Sequence, residues 1–125
     1  MNSSVSIDLV RHDHGCVVLA ARGELDLQTA PVLYRRGLDA VGKGTALVLD
    51  LSEVGFCDSS GFNALLRLHR RAVVDGGGTL VLVSPPDQIR RLLALTGGGE
   101  ASIPVHPSLE RACGSLAAPP AAQAA

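Results

Sequence analysis

The segment between Thr45 and Pro85 most constrains the fold. Two apolar runs, TALVLDL at 45–51 and the core of GGGTLVLVSP at 76–85, flank a helical pattern over 59–75. Runs that are apolar at nearly every position need cover on both faces, as central strands of a sheet with helices packed on it do. A strand, a helix and a second strand in that order place the two strands parallel, because the helix supplies the crossover that a tight turn cannot. The chain is therefore expected to be α/β.

The remaining elements fit around this unit. VSIDLVRH (5–12) reads as an edge strand and CVVLAARG (16–23) as a more buried one. A turn over His12 to Gly15 would make them an antiparallel hairpin. Thr29 is placed to cap a first helix with Pro31 in its first turn. Ala30, Leu33, Tyr34, Leu38 and Val41 then recur at helical spacing, and Gly42 and Gly44 end the element. PDQIRRLLAL (86–95) reads as a third helix, a short strand is expected around 103–105, and SLERACGSL supplies a last helix. The expectation is one domain over residues 1–116, with a mixed sheet of four to five strands and about four helices. The Ala/Pro-rich stretch 117–125 should be disordered. A chain of 125 residues, 46% hydrophobic, can fill one core. With no Trp, one Tyr and two Phe, that core must come from Leu, Val, Ile and Ala.

Several function classes lose support at this level. The formal charge of −1 gives no electrostatic reason to bind nucleic acid directly. Cys16, Cys57 and Cys113 are scattered and odd in number, without CxxC or zinc spacing, which suggests reduced thiols in a cytoplasmic protein. The N-terminal MNSSVSIDLV lacks the pattern of a signal peptide. No apolar run approaches the roughly 20 residues that span a bilayer. The glycines at 76–78 and 97–99 are not followed by Gly-Lys-Ser/Thr, so no phosphate loop is indicated. His12, His14, His69 and His106 stand in no triad order. Neither a metal, a cofactor nor an enzymatic activity is expected.

The chemistry concentrates in GFCDSSGFNALL (55–66). With residues of the following helix about 100° apart, Phe62, Leu65, Leu66, Leu68, His69, Ala72 and Val73 share an apolar side, so His69 reads as a packed core residue. Ser59, Ser60, Asn63, Arg67, Arg70 and Arg71 share a polar, basic one. Such a stripe is either a solvated face or a partner surface. Asp58, Ser59 and Ser60 are all good caps. A nucleophilic serine is poorly supported, since Ser59 is followed by Ser60 and no G-x-S-x-G elbow exists. A modified serine is physically coherent, because a phosphate at a helix start meets free N–H groups and the positive end of the helix dipole. A docked partner would instead meet about −1.5 to −2 of new charge. Cys57 beside the motif reads as a small buried apolar residue.

RGELDLQTAP (22–31) and LVLDLSEVGFCDSSGFNALLRLHRRA (47–72) resemble the two signatures of bacterial STAS-domain anti-anti-sigma factors, and the resemblance covers about residues 5–116. It implies an anti-sigma factor antagonist. The unphosphorylated form would bind an anti-sigma factor that is also a serine/threonine kinase of the histidine-kinase-like ATPase fold, releasing the sigma factor. Phosphorylation would fall on Ser59, the serine directly after the aspartate, and a PP2C-type phosphatase would reset it. Asp26 would shape the docking corner and Asp58 would flank the phosphosite. Ser60 should be partly covered, and Asn63, Arg67 and Arg71 offer contacts from the helix face. Two departures from the family pattern are Thr96 followed by GGGEAS, which affects the fifth strand, and Phe62–Asn63 in place of a common Leu-Gly, which changes bulk and polarity at the contact face. Rival readings are a scaffold for an ABC-type ATPase or a stressosome-like assembly, and a small-ligand sensor with its pocket near Asp58 and Ser84.

Overall fold

Five strands form one sheet in the spatial order of the chain: β1 (Val5–Asp13), β2 (Cys16–Leu25), β3 (Ala46–Cys57), β4 (Thr79–Val83) and β5 (Val105–His106). The structure, a computed structural model, describes residues 4–13, 16–96 and 103–117. β1 is antiparallel to β2 and every later neighbour is parallel, so both the hairpin and the parallel pair expected from sequence are present. The tip of the expected hairpin turn (14–15), the GGGEAS stretch (97–102) and the tail beyond Ala117 lie outside the described residues.

The register explains why the central strands are apolar throughout. Val17, Leu47 and Leu80 form one row across β2, β3 and β4, and Leu19, Leu49 and Leu82 form another. Both rows enter the larger core, which Leu33, Leu65, Leu68 and Ile89 close from the helices. Val18, Val48 and Val81 lie between those rows and point the other way, with Ala112 and Leu109 packed on them. Helices α1 (Ala30–Ala40), α2 (Ser59–His69) and α3 (Asp87–Thr96) therefore cover one face, and α4 (Leu109–Ala117) covers the other.

Two elements differ from the sequence expectation. The helix expected over 59–75 is α-helical only to His69 and widens into a π-helical turn over Arg70–Asp75. Its last carbonyls are met by Gly77 N–H on Val73 O (3.1 Å) and Gly78 N–H on Ala72 O (2.9 Å). His69 is buried as expected, and burial lowers its imidazole pKa.

The second difference bears on function. β3 continues six residues past the expected run and pairs there with β2 alone, through Arg22 with Glu53, Gly23 with Val54, Glu24 with Phe56 and Leu25 with Cys57. Register shifts between Ala20 and Arg22 and between Gly23 and Glu24 break the alternation that marks a strand in sequence. Gly23 has a φ of +109°, and a Cβ there would strike the Ser4 carbonyl. This two-stranded extension carries Leu25 and Cys57 to one corner of the domain.

Candidate functional site

At that corner the Asp58 N–H donates to Leu25 O at 3.0 Å, tying the end of β3 to the end of β2. Asp58 is extended, and its Oδ1 accepts from Ser60 N–H (2.8 Å) and Gly61 N–H (3.2 Å). Of the three candidate caps, Asp58, Ser59 and Ser60, it is thus Asp58 that caps α2. A carboxylate three bonds from the backbone reaches the N2 and N3 donors that a hydroxyl at the first helical position cannot. Ser59 is the first residue of α2 and is exposed, whereas Ser60 is half-buried. Neither hydroxyl has a hydrogen-bond partner among the described residues.

Gly61 sets how closely α2 approaches the sheet. A Cβ at this position would lie 2.7 Å from Leu25 Cβ and 2.8 Å from both Leu25 O and Cys57 Sγ. Only a glycine lets the first turn of α2 rest directly on the end of β2.

Asp26 shapes the same corner by folding back on its own turn. Its Oδ1 accepts from Gln28 N–H (3.0 Å) and Thr29 N–H (3.1 Å). Thr29 Oγ1 accepts from Asp26 N–H at 2.9 Å, and its own proton lies between Glu24 O (2.5 Å) and Asp26 Oδ1 (3.2 Å). Thr29 immediately precedes α1, as expected, but its hydroxyl is spent on this turn and does not cap the helix. The result is a rigid loop that leaves Leu27 78% exposed. Asp26→Asn retains the acceptor oxygen and should leave the urea midpoint nearly unchanged. Asp26→Ala removes it and should cost about 1–2 kcal/mol; equal midpoints for the two variants would show that the turn does not depend on this oxygen.

The exposed face of α2 meets α1 across a groove of about 510 Å³. Ser60, Asn63 and Arg67 line one wall, and Leu27, Tyr34 and Arg35 line the other. The Arg67 guanidinium stacks over the Tyr34 ring, 4.3 Å from its centroid. Arg71 stands apart from these residues. It pairs weakly with Asp75 at 4.0 Å and borders a separate cleft beside Lys43. Phe62 is only 6% exposed, so the bulk expected at the contact face is in the core and Asn63 alone alters that surface.

A comparison with protein families decides the lineage: the family described as "Mlab, STAS domain" matches residues 9–104. The chain belongs to the STAS domain family. It is 28% identical over 94 residues to the anti-sigma-B factor antagonist of Bacillus subtilis, covering 75% of this chain and 84% of that protein. An anti-sigma factor antagonist from Mycobacterium paratuberculosis has a similar crystal structure, with 31% identity, a TM-score of 0.72, and 90% and 94% of the two chains covered. The phosphorylated form of the Bacillus cell fate determinant SpoIIAA shares the fold, with a TM-score of 0.67 at 22% identity over 89% of this chain and 99% of that one.

Within this STAS domain the alternative pocket near Asp58 and Ser84 is not where the groove forms. Ser84 has a φ of +46° and its N–H donates to His106 O at 2.9 Å, closing the end of β4 against β5. No helix among the described residues is long and apolar enough to cross a membrane. Cys57, beneath the corner, donates to Asp58 O at 3.4 Å. Burial, reinforced by the Asp58 carboxylate, pushes its thiol pKa up to about 12. The thiolate is the reactive form, so at pH 8 iodoacetamide should modify Cys16 and Cys113 well before Cys57, as read by peptide mass spectrometry. Labelling of Cys57 first in the folded STAS domain would contradict this burial.

Proposed function

We propose that the chain is an anti-sigma factor antagonist controlled at Ser59. In its unphosphorylated form it binds an anti-sigma factor that is also a serine/threonine kinase of the histidine-kinase-like ATPase fold, and the sigma factor is released. The kinase transfers the γ-phosphoryl group of ATP to Ser59 Oγ, which gives up its proton, and ADP leaves. The phosphorylated form lets go of the kinase, and a PP2C-type phosphatase restores the hydroxyl. The action is one of binding in the cytoplasm, and the chain itself supplies no catalysis.

The observation that carries this reading is the division of roles at the start of α2. Asp58 caps the helix, and Ser59 is left exposed with a free hydroxyl. A phosphate there meets the positive end of the helix dipole, so the fold accepts it. The antagonist names of the Bacillus subtilis and Mycobacterium paratuberculosis relatives support the same reading.

Phosphopeptide mapping after incubation with the kinase and ATP tests it, on wild type, Ser59→Ala and Ser60→Ala. Phosphate is expected on Ser59 in the wild type and in Ser60→Ala. Phosphate on Ser60 in the wild type, or full phosphorylation of Ser59→Ala, overturns the site. Copurification with a transporter ATPase and no phosphate-dependent mass shift would favour the scaffold role.

A further inference from the structure

The groove between α1 and α2 holds a combination that the antagonist role alone does not require. Leu27 is the most exposed apolar residue of its loop and stands on the turn held by Asp26. It lines the groove together with Tyr34, Arg35, Ser60 and Arg67, and Asp39 is the one carboxylate beside them. Neither Arg35 nor Arg67 has an ion-pair partner among the described residues. The chain as a whole carries −1, so the positive character is local to this face.

We propose that this groove receives an acidic segment of the anti-sigma partner, with apolar side chains seated on Leu27 and Tyr34 and a carboxylate held by Arg35 and Arg67. The inference rests on the antagonist reading and names the chemistry of the partner surface. Stacking on Tyr34 fixes the plane of the Arg67 guanidinium while leaving its N–H edge free, the arrangement that grips a carboxylate through paired hydrogen bonds. A large apolar side chain on a rigid turn gives contact area with little ordering cost. The groove is also continuous with the switch. Ser60 closes its upper end one residue from Ser59, and Leu27 follows Asp26 directly. A partner reaching from Ser59 along α2 meets Asn63 and then Arg67, at the spacing of successive helical turns.

The test uses the purified anti-sigma factor that copurifies with the wild-type chain, titrated against Arg35→Glu, Arg67→Glu and Leu27→Ser. Arg111→Glu, exposed on α4 across the sheet, is the control for net charge. Each groove variant should lose affinity by about tenfold or more, and the two arginine variants should also show a shallower salt dependence than wild type. Arg111→Glu should change affinity less than about twofold, as expected for a charge remote from the contact. Wild-type affinity and salt dependence in all three groove variants would confine the partner to the Ser59 corner and overturn the proposal. If no anti-sigma factor copurifies with the wild-type chain, the antagonist reading falls and this inference falls with it.

Discussion

Phosphorylation of Ser59 should lower affinity for the anti-sigma factor by more than tenfold while leaving the domain folded. Tenfold requires only about 1.4 kcal/mol. A group carrying about −1.5 to −2 charges, placed on an exposed residue in a docking surface, supplies that through repulsion and lost packing. The fold should hardly respond, because the phosphate sits at the positive end of α2 and displaces no existing bond. Ser59→Ala should stay folded, bind the partner and resist release. Ser59 is not the cap, so its loss should cost less than the roughly 1 kcal/mol typical of a missing N-cap. Titration calorimetry on the phosphorylated and unmodified protein, with circular dichroism melts of both, checks each part. Equal affinity of the two forms would remove the switch, and a folded Ser59→Ala that fails to bind would remove the docking corner.

Gly61→Ala should be the most damaging single change at the site. The new methyl carbon would stand 2.7–2.8 Å from Leu25 Cβ, Leu25 O and Cys57 Sγ, all belonging to residues that are almost wholly buried. Overpacking of this kind typically costs about 1–3 kcal/mol, and each kcal/mol moves the melting midpoint by about 4 °C in a domain near this size. The strain is relieved only if the first turn of α2 lifts from the end of β2, which carries Ser59 away from the Asp26 loop. Partner binding should therefore fall along with stability. Ser59→Ala, by contrast, spares both. A Gly61→Ala protein with the wild-type melting midpoint would show that α2 can shift without cost.

What was legible in the sequence follows from what each feature depends on. The parallel pair of β3 and β4 depends on burial from both sides, which makes an unbroken apolar run, and the run was plain at 45–51 and 79–83. The inward face of α2 and its π-helical turn follows helical periodicity: Phe62, Leu65, Leu68, His69 and Ala72 are buried, and Leu66 and Val73 half-buried. The extension of β3 was not legible, because extra residues bulge out of β3 itself opposite Ala20–Arg22 and Gly23–Glu24, which erases the alternation, and only Val54 and Cys57 of its outer part are buried. Capping roles were assigned by residue type, and Asp, Ser and Thr look alike on that basis. Backbone conformation selects among them: Asp58 is extended and caps, whereas Thr29 is helical and bonds backward to Glu24. The groove was illegible for a different reason. Leu27, Tyr34 and Arg67 come from separate elements, and only tertiary packing joins them.

The cap at Asp58 has an evolutionary consequence. Because that carboxylate satisfies the first turn of α2, position 59 carries no structural duty and can change under regulatory selection alone. An acidic residue there would even be welcome at a helix start. On the proposed switch at Ser59, a lineage could therefore exchange the serine for Glu or Asp and fix the protein in its released state in one step, with no compensating substitution in the core. Drift at position 58 has no such freedom, since losing the cap would loosen the helix that presents whatever follows it. Selection on the switch and selection on the fold thus act on adjacent residues that can vary independently.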